Sequence, residues 1–346
     1  MGETIEPLPT ADELVTEFYE VDIAQATSRI KYILETYAAG KQLFPRDLLQ
    51  DLDRQISENK EHVYIKNFDG EAIKYSLKVP DWFSDTCESY RIMYSSIEQL
   101  TNFDPDTLPD QMIEQRPVSI CYVDFDKHPT SDLDQVKRTF THYNQEWMKS
   151  ETCTSLRKQF AASTVYINKM VCFALGSPSW MDNQRIEARC YTQHAAVQTI
   201  AEVLAAKNGT SISCFAQDPE YSDVDKEFLR SIGITPVEDP KGFLEVDDRT
   251  LVISISPNVP VKQIVADVQW PAAMMWNTVT SEEIEEKKEW KKEIFDDDES
   301  ERVTWVSPFS TDPDSLRVRS MVEHYQPYEL PDSNDHFGDL TIYLKN

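Results

Sequence analysis

A serine-rich segment between a predicted strand and a predicted helix contains the first residues that could carry out chemistry. It reads Gly176-Ser177-Pro178-Ser179-Trp180-Met181-Asp182-Asn183. The N-terminus of a helix offers free backbone N–H groups and a positive dipole end, which suit an anion, a carboxylate or an acyl oxygen. We therefore expect Ser177 to face a ligand there, with Gly176, Ser179 and Asn183 beside it. The alternative is a turn in which the serines only cap the helix.

Polar or aromatic residues also follow the later strands of the second half of the chain. They are Asp218 and Tyr221 after the run 211–216, Asn258 after the run 251–256, and Trp276 with Asn277 at the end of the run 272–276. Asp218 offers a carboxylate and Asn258 an amide with donors and an acceptor, whereas Trp276 could stack on a ligand. Each also has a plain structural interpretation, since Asp caps helices and Trp usually packs in a core.

An acidic segment, residues 282–301, provides a second kind of candidate site. It holds 11 acids and 4 lysines. Asp297, Asp298 and Glu301 could bind a cation there. A guanidinium is the natural organic candidate, because it pairs with carboxylates through two parallel hydrogen bonds. The alternative is a solvated helix over 282–294 followed by an acidic loop.

Composition and charge exclude several classes of function. The chain has 8 glycines in 346 residues, and their spacing allows neither a dinucleotide-binding motif nor a P-loop. The formal net charge of −27 argues against binding DNA or other polyanions in general. The six cysteines form no Cys-x-x-Cys pair and no cluster with the histidines. We therefore expect a reduced chain without a metal or other cofactor.

We expect neither a signal peptide nor a membrane span in this sequence. Its first residues lack the basic and apolar regions of a secretory signal. Its longest apolar run is far shorter than the ~20 residues that cross a bilayer. We therefore expect a cytoplasmic protein without membrane contact.

Strands and helices alternate through the second half of the chain. Strands are predicted at 165–175, 211–216, 251–256 and 272–276, and helices at 183–207, 222–231 and 261–268. This order predicts an α/β fold, with a Rossmann-like three-layer αβα core and a mainly parallel sheet. Ligands of such sheets bind beyond the carboxyl ends of the strands, so the candidate loops should meet in one crevice.

The first half of the chain has a mixed pattern. Helices are predicted at 22–39, 130–148 and 153–162, with short strands at 62–66, 72–77 and 119–124. We therefore divide the chain into an N-terminal α+β region, residues 1–160, packed on the core, and the Rossmann-like domain, residues 161–346. The second domain would also carry the acidic helix and strands at 302–306 and 339–344.

From about residue 165 to residue 277 the chain resembles the SRR-like family, named for the plant "sensitivity to red light reduced" protein, and in particular its fungal branch. The blocks that carry the resemblance are Leu175-Gly176-Ser177-Pro178-Ser179, Gln217-Asp218-Pro219-x-Tyr221, Phe228-Leu229-x-x-Ile232-Gly233-Ile234, Leu251-Val252-x-Ser254-Ile255-Ser256-Pro257-Asn258-Val259-Pro260 and Pro271-Ala272-Ala273-x-x-Trp276-Asn277. The closing segment His336-Phe337-Gly338-Asp339-Leu340-Thr341 is also similar to fungal relatives. Plant and animal members usually have Pro-His-Cys where this chain has Pro257-Asn258-Val259, so a His- or Cys-dependent role is not implied.

Within the family, the chain is similar to the arginine-containing cyclodipeptide synthases of fungal secondary metabolism. The resemblance implies a transferase that joins two aminoacyl groups from aminoacyl-tRNA, one of them arginyl, into a diketopiperazine. Bacterial cyclodipeptide synthases carry a serine that accepts the first aminoacyl group, and the nearest counterpart here is Ser177, followed by Ser179. The acids Asp297, Asp298 and Glu301 fit the Asp-Asp-x-x-Glu motif described for these synthases. ATP is not needed, because the ester arrives activated.

In this interpretation Asp218, Tyr221 and Asn258 join Ser177 as catalytic residues. The substrate-binding residues would be Gly176, Ser179, Asn183, Trp276 and Asn277, together with the three acids of the motif. The transfer RNA would need a local basic patch. The candidates are Arg185, Arg189 and Lys207 on the long helix, and Lys137, Arg138, Arg157 and Lys158 in the first half. One alternative is a non-enzymatic regulatory or scaffold protein of the same family, with the acidic segment as its partner surface. The other is a small-molecule enzyme that uses the same crevice without tRNA.

Overall fold

The computed structural model describes residues 11–58, 60–84, 87, 89–122, 130–180, 184–282, 288–297, 300–332 and 335–346. Side chains of residues 11–21, 184, 295–297 and 300–302 lie outside this description. The helices are α1 (Ala11–Ala38), α2 (Arg46–Ser57), α3 (Ile97–Thr101), α4 (Pro109–Glu114), α5 (Leu133–Trp147), α6 (Glu151–Ala162), α7 (Gln184–Asn208), α8 (Asp223–Ser231), α9 (Lys241–Glu245), α10 (Val261–Val268) and α11 (Leu316–Val322).

The strands are short and are spread along the whole described chain. They are β1 (His62–Lys66), β2 (Ala72–Ser76), β3 (Tyr90–Tyr94), β4 (Val118–Tyr122), β5 (Lys169–Phe173), β6 (Ser213–Gln217), β7 (Ile234–Pro236), β8 (Thr250–Ser254), β9 (Ala273–Asn277), β10 (Lys291–Asp297), β11 (Ser300–Val306), β12 (Tyr325–Glu329) and β13 (Leu340–Lys345). β1–β2, β3–β4 and β10–β11 are separate antiparallel pairs.

One central sheet contains seven of the described strands, in the order β12-β13-β9-β8-β5-β6-β7. β9, β8, β5, β6 and β7 run parallel to one another. β13 joins β9 antiparallel, and β12 joins β13 antiparallel. At the centre, Val171 of β5 pairs with Phe215 of β6 on one side and with Val252 of β8 on the other. The predicted α/β fold with a mostly parallel sheet is confirmed.

The central strands are apolar on both faces, as parallel strands covered by helices must be. Every residue of β8 and nearly every residue of β5 is buried. Alternate side chains of β5 enter two different hydrophobic clusters. Met170 and Cys172 join residues of α5, α6 and α7, whereas Val171 and Phe173 join residues of α9 and α10. The same alternation in β8 and β9 fixes the strand register, because a slip by one residue would exchange the two faces.

Helix α5 and most of helix α6 precede residue 160 in the sequence, and both still share a core with the sheet. Phe140 of α5, Leu156 of α6 and Tyr191 of α7 belong to one hydrophobic cluster with β5. Trp147 at the end of α5 also donates a buried hydrogen bond of 2.9 Å to Thr199 of α7. The domain boundary at residue 160 stays a prediction.

The predicted exposed helix over 282–294 is wrong in its last part. Lys291–Asp297 is the strand β10, and it pairs with β11 so that Ile294 lies opposite Val303. The helical pattern was weak there, because its acidic C-terminal end opposes the helix dipole. The β-branched and aromatic residues of the segment favour the paired, extended backbone instead.

Two tryptophans attach this hairpin to the segment that follows α3. Trp290 Nε1 donates a hydrogen bond of 2.6 Å to Asn102 Oδ1. Trp305 Nε1 donates one of 2.7 Å to Asp106 Oδ2. These contacts span almost 200 residues of sequence, so a local helical pattern could not anticipate them.

No helix in the described part of the chain combines the length and apolar character that a bilayer span requires.

Candidate functional site

A cavity of about 470 Å³ opens at the carboxyl ends of β5, β6 and β8. Gly176, Ser177, Asp218 and Asn258, from the loops that follow these strands, line it. In the sheet, β5 lies between β6 and β8. The chain therefore adds strands first on one side of β5, beginning with β6, and later on its other side, beginning with β8. Ligands of open α/β sheets bind at such a reversal of strand order. The cavity therefore brings four of the predicted residues together at the expected edge.

The N-terminal region supplies another part of the cavity wall. Arg91 and Tyr94 of β3 line it, as does Cys121 of β4. Arg91 also pairs with Glu220 of the loop after β6, at 2.9 Å between the guanidinium and the carboxylate. The sequence alone does not point to these residues, because a short strand carries no signal of its neighbours in the fold.

The backbone is strained where β5 and β8 end at the cavity. Ala174 has a φ of 55° and Ser256 a φ of 50°. Residues with a side chain seldom adopt this left-handed conformation, which costs roughly 1–3 kcal/mol. Both residues line the cavity. Strain of this kind is concentrated at functional sites, because the surrounding structure must impose it.

Ser177 lines the cavity, and its hydroxyl is paired with a carboxylate. Its Oγ donates a hydrogen bond of 2.7 Å to Oδ2 of Asp225, which has no solvent exposure. Asp225 and Ser222 form the capping box at the start of α8, and this fixes the carboxylate. Ser179 belongs to the same network through its amide, 2.6 Å from Asp225 Oδ1, but its side chain is fully buried. Ser177 thus reaches the cavity, whereas Ser179 holds the turn.

Asp218 receives hydrogen bonds from the backbone at both carboxylate oxygens. Oδ2 accepts from the Gly176 amide at 3.1 Å, and Oδ1 accepts from the Glu220 amide at 3.0 Å. Burial raises the pKa of Asp218 to about 6, although these two hydrogen bonds favour the charged form. Asp218 therefore ties the loop after β5 to the loop after β6 and also titrates close to neutral pH.

A second carboxyl group, Asp239, follows β7 and lines the same cavity. Its Oδ1 accepts hydrogen bonds from the Tyr94 hydroxyl at 2.7 Å and from Gln217 Nε2 at 3.0 Å. Burial raises the pKa of Asp239 to about 7. Gln217 is itself held by the Gly242 amide, which donates to Oε1 at 2.7 Å. The only hint in the sequence was an acid after a three-residue strand, which is too short to predict.

Two of the predicted site residues make contacts outside the cavity lining. Tyr221 is buried, with its hydroxyl 3.5 Å from Nε2 of the fully buried His194. Asn277 accepts a hydrogen bond of 3.2 Å from the Ser256 amide and so supports the strained turn after β8. Neither residue is part of the cavity lining, so a direct role of either one stays a prediction.

Trp276 is not placed to stack on a ligand in this cavity. It has no solvent exposure and is not part of the lining. The reason is its position on β9, a strand that is buried on both faces. Its Nε1 has no hydrogen-bond partner among the described residues.

The remaining predicted residues belong to the segment after Trp180 and to the acidic hairpin. Asn183 and Asp298 lie outside the described residues. The backbones of Asp297 and Glu301 lie near the closed end of the β10–β11 pair, but their side chains are outside the description. The prediction that these acids bind a guanidinium therefore stays a prediction.

The arrangement combines a hydroxyl with groups that can accept and release protons. Ser177 has a carboxylate at hydrogen-bond distance, and Asp218 and Asp239 titrate near neutral pH. Groups of this kind suit acyl transfer with general acid–base assistance.

Within the described residues, no cluster of three or more His, Cys, Asp or Glu side chains could hold a metal ion.

The comparisons with known proteins identify the class of domain to which this site belongs. The SRR1 domain model matches residues 140–344, more than half of the chain. The chain therefore belongs to the SRR1 domain family. The match starts within α5 and includes α6 and all of the central sheet except the last residue of β13. Neither a curated protein nor a solved structure gives a significant match.

Proposed function

We propose that this SRR1 domain protein transfers aminoacyl groups from aminoacyl-tRNA and joins two of them, one arginyl, into a cyclic dipeptide. The observation that carries the proposal is Ser177, which lines the cavity and whose hydroxyl donates to Asp225 at 2.7 Å. A serine in this setting can act as an acyl acceptor, because a neighbouring carboxylate can receive its proton. The family resemblance of the Gly176–Ser179 block supports the same role.

The charge of the cavity supports a cationic substrate. Asp218, Glu220 and Asp239 are the acids of its described lining, and Arg91 is the basic residue there, already paired with Glu220. An arginyl group carries both an amine and a guanidinium, which such an environment stabilises. The acidic lining also fits a reaction that uses no nucleoside triphosphate.

The reaction proceeds through an ester on Ser177. Oγ bonds to the carbonyl carbon of the first aminoacyl group, the bond from that carbon to the ribose oxygen breaks, and the Ser177 proton passes through Asp225 to that oxygen. The amine of the second aminoacyl-tRNA then attacks the Ser177 ester and forms a dipeptidyl-tRNA. The free amine of the first residue finally attacks the remaining ester, which closes the ring and releases the second tRNA.

The transfer RNA must approach a face that is less acidic than the chain as a whole. Arg185 and Arg189 lie in the first two turns of α7, immediately after the segment that carries Ser177. This end of α7 is the approach that fits best, since cations there would meet the phosphates of the acceptor end.

The proposal also includes a Rossmann-like three-layer core. It further includes a cytoplasmic location, because aminoacyl-tRNA is available in the cytoplasm.

The test is formation of the product by the purified full chain. The chain is incubated with arginyl-tRNA and, in turn, each other aminoacyl-tRNA, and the products are analysed by mass spectrometry. We expect one arginine-containing diketopiperazine, whose formation ends when ribonuclease is added first. Absence of any such product in an extract that charges all tRNAs would refute the proposal.

A regulatory or scaffold role is the second candidate, and the β10–β11 hairpin favours it. Ile294 and Val303 lie opposite each other on the two strands, with 65% and 48% of their surfaces exposed. Paired exposed apolar residues on a hairpin are typical of a protein contact. Two results together would support this role instead. The chain would make no product, and it would capture a stoichiometric protein partner that the Ile294→Lys variant no longer binds.

A further inference from the structure

The carboxyl groups in and near the cavity differ in how many of their oxygens already accept hydrogen bonds from the protein. Asp225 accepts hydrogen bonds at both oxygens, from Ser177 and from the Ser179 amide among others. Asp218 also accepts at both oxygens, from two backbone amides. Asp239 accepts only at Oδ1 among the described contacts. Because Asp239 lines the cavity, its Oδ2 is the oxygen left for a ligand.

The surroundings of Asp239 hold it in one orientation. Tyr94 comes from the N-terminal region and Gln217 from the end of β6, and both donate to the same oxygen. Gln217 cannot move freely, because its own oxygen accepts from the Gly242 amide at 2.7 Å. Oδ2 is thus presented by a rigid set of contacts from three separate parts of the chain.

We propose that Asp239 is the general base that takes the proton from the attacking amine, with Tyr94 and Gln217 as its positioning residues. The inference rests on the proposed acyl transfer and names the proton acceptor for it. The amine nitrogen bonds to the ester carbon, and the bond from that carbon to the departing oxygen breaks. The N–H proton passes to Oδ2 of Asp239 and from there to the departing oxygen, so no other reactant is needed.

The electrostatic environment of Asp239 suits this role at neutral pH. Burial raises its pKa to about 7, while the hydrogen bonds from Tyr94 and Gln217 and the nearby Arg91 lower it. Glu238 is the neighbouring like charge, and it raises the pKa further. A general base is most effective when its pKa lies near the working pH.

The experiment compares the pH–rate profiles of the full chain and three variants, with arginyl-tRNA and the second aminoacyl-tRNA that gives product. We expect the wild-type rate to fall below about pH 7. The rate of Asp239→Asn should be lower than the wild-type rate by about 100-fold or more, and its profile should no longer show the acidic limb. Tyr94→Phe should move that limb to higher pH, because the lost hydrogen bond favoured the carboxylate. Asp248→Asn, an exposed acid outside the cavity, should match the wild type.

The outcomes separate this inference from the proposed function. Suppose that the wild type forms product. An Asp239→Asn rate within twofold of the wild-type rate would then overturn the assignment of Asp239 as base and leave the proposed synthase function intact. An unchanged acidic limb in the Tyr94→Phe profile would have the same meaning. No product from the wild type would overturn both. Tyr94→Phe retains the buried ring, so it gives a result even if Asp239→Asn does not fold.

Discussion

The Ser177 hydroxyl lies 2.7 Å from Oδ2 of Asp225, a carboxylate without solvent exposure that also caps helix α8. One side chain therefore serves both the candidate nucleophile and the helix start. The Ser222 amide and hydroxyl each donate to the same Oδ2, at 2.8 Å. Removal of the carboxylate should consequently affect stability as well as activity.

We predict that Asp225→Asn lowers the free energy of unfolding by about 2 kcal/mol or more. An amide nitrogen in place of one carboxylate oxygen would face donors and leave them buried without an acceptor. Urea unfolding followed by circular dichroism measures the change. The matched control is Asp223→Asn, two residues earlier and exposed, which should change stability by less than about 0.5 kcal/mol. Equal effects of the two variants would contradict the buried role of Asp225.

We predict different effects on activity for two neighbouring serines. Ser177→Ala should reduce product formation by about 1000-fold or more, since it removes the proposed nucleophile. It should also cost about 1.5–3 kcal/mol of stability, because its hydroxyl donates to the buried Asp225 carboxylate. Ser179→Ala should reduce stability by about 1 kcal/mol, because its Oγ lies 2.9 Å from Ser222 Oγ in a buried network. Rate and unfolding measurements on both variants check this. Retention of activity by Ser177→Ala would exclude the covalent mechanism.

We predict that Gly242→Ala disturbs Gln217 and, through it, Asp239. A Cβ atom at residue 242 would lie 2.7 Å from Gln217 Oε1 and 3.0 Å from the ring of Phe173. The expected loss of stability is about 1–3 kcal/mol, with a fall in activity. Gly233→Ala is the control: its φ of +82° makes the substitution strained, but its Cβ meets no atom within 4 Å. It should lose stability without losing activity, and a fully active Gly242→Ala would contradict the Gln217 contact.

We predict that His194 makes the protein sensitive to acid. Burial lowers its pKa from 6.5 to about 4, so the unfolded chain binds the proton first as the pH falls. The stability that neutral His194 contributes is present above pH 6.5 and is lost as the pH falls through about 4. His194→Gln should lose less stability over this interval, by up to about 3 kcal/mol. Unfolding measured at pH 7, 5.5 and 4 tests this, and parallel curves for the two proteins would refute it.

Local sequence patterns predicted the elements of the second half well. The apolar runs that became β5, β6, β8 and β9 stand out because both of their faces are buried, and glycines or capping residues end the helices between them. The edge strands β7 and β12 were not predicted, since β7 has three residues and β12 is mostly exposed and contains Pro327. The hairpin at 291–306 was mistaken in part for a helix, because its anchors at Asn102 and Asp106 are distant in sequence.

The sequence by itself determined the order of strands and helices, and therefore the edge of the sheet where Gly176, Ser177, Asp218 and Asn258 meet. Local hydrophobic periodicity and turn chemistry carry that information. Only the tertiary structure decided that Ser177 rather than Ser179 lines the cavity, that Trp276 is core, and that Tyr94 reaches Asp239. Those facts depend on the burial of individual side chains and on contacts between residues up to 145 positions apart. No local pattern specifies them, because they arise only when the separate elements pack together.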